Sequence, residues 1–98
     1  MKAVLLLRQK LTDADGDILE LVVWRVPPGA GQPKGVRYRL AFIPRGCAGP
    51  AVLYDNHSPK GPHKHLDGVE SAYAFLDVPR LIQDFRHDVA HRKKERGD

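Results

Sequence analysis

The chain has 98 residues, 42% hydrophobic and 29% charged, with a formal net charge of +4. That bounds it to a single domain over 1–98 with one modest core, and the composition is that of a soluble globular protein. The single cysteine, Cys47, excludes an internal disulfide framework. The positive excess favours polyanionic partners such as nucleic acid. The opening Lys2 to Leu7 imitates a signal peptide, but its apolar run is short and is broken by Arg8 and Lys10. No stretch is long enough to span a bilayer. The expected setting is therefore the cytoplasm, with no membrane.

Residues 2–11 read as a strand rich in Leu and Val. Asp13 to Asp17 reads as a turn, since Asp and Gly accept left-handed backbone. It resembles a calcium loop but lacks the spacing and the distal Glu of one. Ile18 to Val26 is a second strand and closes a hairpin. It is apolar at both odd and even positions, so a homodimer mate or a partner protein is expected to cover part of its second face. Residues 27–35, rich in Pro and Gly, form a loop. Val36 to Pro44 is a third strand with clear alternation. Val36, Tyr38, Leu40 and Phe42 share one face, and Arg37 and Arg39 share the other. Ala51 to Asn56 is a fourth strand, residues 57–70 a polar loop, and Ala72 to Leu76 a short fifth strand. Asp77 is a helix N-cap with Pro79 in the first turn. Val78, Leu81, Ile82, Phe85 and Val89 then define an apolar stripe on a helix reaching about Lys94. The expected fold is α+β: an antiparallel meander of four to five strands with one C-terminal amphipathic helix packed on one face.

Chemistry concentrates in two places. No acidic residue lies between Glu20 and Asp55, whereas Arg25, Lys34, Arg37, Arg39 and Arg45 do. Arg37 and Arg39 would project from the face opposite the helix, as phosphate-binding forks or as a plain solvated face. The loop after the fourth strand holds His57, His63 and His65, with Lys60, Lys64, Asp55 and Asp67 nearby. Histidine moves protons near neutrality, and Lys or Arg beside it can stabilise charge on a phosphate. Gly61, between Pro59 and Pro62, could fix a tight backbone path. The same histidines could hold a metal, because His63 and His65 flank Lys64 and would point the same way on an extended segment. Lys60 and Lys64 weigh against a cation there, so the expected site uses no metal and no cofactor. His87 and His91 read as solvated helix residues, Cys47 as unreactive, and Trp24 as a core or interface residue.

The fourth strand and its loop, Tyr54-Asp55-Asn56-His57 followed by Lys60-Gly61-Pro62-His63-Lys64-His65, resemble the signature of the TumE family of toxin–antitoxin toxins. Lys2 to Leu7, Val22 to Pro27, Arg37 to Ala41 and Tyr73-Ala74-Phe75 agree with it in order and spacing. The resemblance implies a small endoribonuclease-like toxin, paired with a helix-turn-helix antitoxin. It carries Asp55, Asn56, Lys60, Gly61, His63 and His65 as site residues. The expected chemistry is metal-independent cleavage of RNA. His63 and His65 would be base and acid in either order, and Lys60 and Arg39 would hold the phosphate. Asp55 would orient a histidine ring, with Arg37, Asn56, His57, Gly61 and Lys64 assisting substrate binding. A metal-dependent nuclease and a non-catalytic module binding RNA or the antitoxin are the alternatives.

Overall fold

The structure, a computed structural model, describes residues 2–29, 32–57 and 61–97. Six strands follow one another in a single antiparallel sheet, ordered β1 to β6: Val4–Thr12, Ile18–Arg25, Val36–Ile43, Val52–Asp55, His63–Leu66 and Val69–Ala72. Helix α1, Val78–Glu95, follows. The α+β meander with one C-terminal helix is thus as expected, with one or two strands more.

The difference lies after β4. Residues 63–72 are not a polar loop but the β5–β6 hairpin, and the strand expected at 72–76 is not found: β6 spans Val69–Ala72, and residues 73–76 are irregular. Asp67 and Gly68 both take positive φ, +48° and +83°, which is what a two-residue hairpin turn with the strand's own twist requires. The hairpin has no apolar alternation to announce it; its strand character comes from pairing with β4.

The helix packs on the face that the alternation of β3 assigns to the core. Leu21, Val23, Tyr38, Leu40, Phe42, Val52 and Tyr54 meet Leu81, Phe85 and Val89 there. Asp77 caps the helix, its carboxylate accepting the Arg80 N–H at 2.8 Å. Polar clamps then fix the helix along its length. The Tyr54 hydroxyl donates to the Asp88 carboxylate, and the Tyr73 hydroxyl donates to Asp84 at 2.6 Å. The Tyr73 bond, with Arg80 beside it, holds the Asp84 carboxyl below its ordinary range despite partial burial.

At the far end Lys93 reaches Asp13 at 2.7 Å and Asp15 at 2.6 Å, and Arg96 grips Asp17 at 2.6 Å. The carboxylates that resembled a calcium loop are therefore neutralised by the protein's own cations.

Candidate functional site

Because the helix covers one face only, the other is left open, and most of the candidate residues lie on it. Cross-strand register sorts its side chains into rows, since residues directly opposite each other project the same way. One row runs Val22, Arg39, Asp55, His63, Ala72; the next runs Glu20, Ala41, Leu53, His65, Glu70. Trp24 and Arg37 form a third row on the other side of the first. Adjacent strands stand about 4.8 Å apart, so the backbones of Arg39 and His63 are separated by roughly 10 Å.

The arginine end is a cavity of about 270 Å³ lined by Val22, Trp24, Arg37, Tyr38, Arg39, Asp55 and His57. Trp24 is half-buried on this face, outside the core cluster, with the Arg8 guanidinium 5.9 Å from its ring centre. Arg39 has Glu20 at 3.8 Å. Burial, and the Asp55 charge after it, push the Tyr38 hydroxyl above its ordinary pKa, so it stays protonated.

Two histidines have their ring protons placed by their partners. Arg37 Nη2 donates to His57 Nδ1 at 2.7 Å. A guanidinium can only donate, so this bond leaves the ring proton of neutral His57 on Nε2. His63 Nδ1 lies 2.8 Å from the Gly61 carbonyl. A carbonyl can only accept, so His63 carries its proton on Nδ1 and offers a lone pair at Nε2. Gly61 takes φ +74° to present that carbonyl, a conformation glycine adopts without strain. His65 stands edge-to-face with His63, ring centres 5.1 Å apart, and its Nε2 is 3.4 Å from Glu70. Glu70 escaped notice in the sequence; pairing across an Asp67-Gly68 turn is the signal that would have found it.

The remaining candidates separate. Asp55 is on the open face, and its carboxylate accepts the His57 backbone N–H at 2.5 Å, shaping the chain there; no bond from it to a histidine ring is found among the described residues. Asn56 is 2% exposed, and its side chain is spent on the scaffold. It accepts from Tyr38 N–H at 3.0 Å and donates to the Val36 carbonyl at 2.6 Å, continuing the β3–β4 ladder as the chain leaves the sheet. Asn56→Ala strands both groups, and a loss of about 2 kcal/mol in urea unfolding is expected. Lys64 points to the helix side, its ammonium 3.2 Å from Asp88 and 5.6 Å from the Tyr54 ring centre. It does not join the substrate-binding set, because alternation along β5 sends it away from His63 and His65. Lys60 lies outside the described residues.

A small α+β protein with a cationic, histidine-bearing open sheet face is the class these features define. Residues 2–93 match the family model described as Toxin TumE, and the chain belongs to that family. It is accordingly a toxin of a toxin–antitoxin system, a membership that implies an antitoxin partner. No curated protein and no solved structure matches it. No helix among the described residues is long and apolar enough to cross a membrane, which says nothing of β-barrels.

Proposed function

We propose that this toxin is a ribonuclease that works without a metal. The observation that carries the reading is the common sheet face of Arg37, Arg39, His63 and His65, with His57 bonded to Arg37 beside it: phosphate-binding forks and proton carriers share one surface. His63 Nε2 takes the proton of a ribose 2′-hydroxyl. The 2′-oxygen attacks the adjacent phosphorus, the bond to the 5′-oxygen breaks, and His65 returns a proton to that oxygen. A cyclic phosphate and a free 5′-hydroxyl result. Glu70 supplies the counter-charge for His65. Arg39 stabilises charge gathering on the phosphate, a part the family resemblance also gives to Lys60, while Trp24 and Arg37 receive a neighbouring nucleotide. The substrate makes the cytoplasm the place of action. A helix-turn-helix antitoxin is the expected partner, and by covering Val22 and Trp24 it would close the end of the face that receives the nucleotide.

The test incubates purified toxin with total RNA in EDTA and maps new ends. Cleavage to ends bearing cyclic phosphate supports the reading. Salt-sensitive binding without new ends would replace it with a non-catalytic RNA-binding module. Lys64→Met is expected to cleave at the parental rate and to lose less than about 1 kcal/mol of stability, because its partner is Asp88 and not substrate.

A further inference from the structure

We infer that His63, His65 and Glu70 form a binding site for a divalent transition-metal ion of the zinc class, and that the ion shuts the nuclease off. The first half stands on geometry alone; the second rests on the ribonuclease reading above.

One ligand atom from each of the three residues lies within 4.8 Å of the others. His65 Nε2 and Glu70 Oε1 are 3.4 Å apart. Two ligands bound at 2.0–2.1 Å to a tetrahedral zinc ion stand about 3.4 Å apart, so this pair already has the separation the ion requires. His63 supplies the third corner from the same sheet face, two residues along β5. Its ring is oriented as a metal-binding imidazole is: Nδ1–H is fixed on the Gly61 carbonyl and the free lone pair is on Nε2. The side chain is only 9% exposed, so little rotamer freedom is left to lose on binding.

Two imidazoles and one carboxylate suit zinc and its neighbours rather than calcium or magnesium, which prefer all-oxygen sets. Of the two lysines whose charge weighs against a cation in the sequence, Lys60 lies outside the described residues, and Lys64 does not face the histidines. Lys64 projects through the opposite face and is paired with Asp88. By contrast the other carboxylate cluster, Asp13, Asp15 and Asp17, is already filled by Lys93.

Binding would consume the lone pair on His63 Nε2 and tie up His65, removing both proton carriers from RNA cleavage. The ion is thus an inhibitor of this site.

The experiment titrates zinc chloride into metal-free toxin by calorimetry and follows thermal melting in parallel. Wild type and His91→Ala are expected to bind one ion per chain and to melt higher with zinc. His91→Ala removes the helix histidine paired with Glu95 and serves as the control for surface binding. Glu70→Gln and His65→Asn are expected to weaken binding at least about tenfold and to lose the shift in melting. No binding, or equal affinity in all four proteins, overturns the site; so does loss of binding in His91→Ala. Cleavage is then measured with zinc and with EDTA. Inhibition by zinc that EDTA reverses supports the second half, and full cleavage by the zinc-loaded protein overturns it. A toxin that binds zinc through these residues yet cleaves no RNA keeps the site and ends the nuclease reading. One that cleaves in EDTA and binds no zinc ends this inference alone.

Discussion

His63→Asn is expected to lower RNA cleavage by about a thousandfold while leaving the urea midpoint close to wild type. Asparagine places its amide nitrogen near the position of Nδ1, so it can still donate to the Gly61 carbonyl that His63 holds at 2.8 Å. What it deletes is Nε2, the lone pair that takes the 2′-hydroxyl proton. Alanine would be a poorer test, because His63 is nearly buried and a truncated side chain would unsettle the turn as well as the chemistry. His65→Asn is expected to fall by a similar factor, and the double variant by little more than either single, because base and acid serve one transition state. Full cleavage by folded His63→Asn in EDTA would remove His63 from the mechanism and leave the arginine face as a binding surface only.

Much of the scaffold is legible from the chain because its signals are local. The alternation of Val36 to Phe42 fixes which face of β3 meets the helix, and Tyr38, Leu40 and Phe42 are indeed core. Asp77, Pro79 and the stripe through Leu81, Phe85 and Val89 fix where the helix starts and which side it buries. The β5–β6 hairpin was hidden for the opposite reason. His63 to Leu66 is mostly polar and Val69 to Ala72 is exposed at every position, so no period-2 apolar pattern marks them, and pairing with β4 organises them instead. The same gap blurred the site. With 57–70 read as a loop, Lys64 counted as a neighbour of the histidines. Once β5 is a strand, alternation sends it through the sheet to Asp88 and brings Glu70 across to His65. Asn56 looked available because its polarity is visible in sequence, whereas the two backbone groups it satisfies belong to another strand.

The largest loss of stability is expected at the other end of the molecule, from Asp17→Ala. Asp17 has no exposed surface, and its carboxylate is the meeting point of three donors. Arg96 binds it through both terminal nitrogens at 3.0 and 2.6 Å, the Arg45 N–H bonds it at 2.8 Å, and Lys93 lies 3.2 Å away. Alanine leaves the Arg45 N–H without its acceptor and two clustered cations without the shared charge. Both cations keep some contact with water, and a cost of about 3 kcal/mol follows. In a domain of this size that lowers the melting midpoint by roughly 15 °C. The pH dependence has a definite sign. Arg96 above all, with Arg45 and Lys93, holds the Asp17 carboxyl far below its ordinary value of 3.8, against the pull of burial. A depressed folded-state pKa stabilises the fold fully above the unfolded value and progressively less as pH falls below it. Wild-type melting should therefore begin to drop on acidification as pH nears the unfolded value of 3.8 and fall most steeply below it, and Asp17→Asn, which keeps the shape without the titrating charge, should melt lower at neutral pH with a shallower acid slope. Equal slopes in the two proteins would show that Asp17 is not the carboxylate whose protonation releases the end of the helix from the β1–β2 turn.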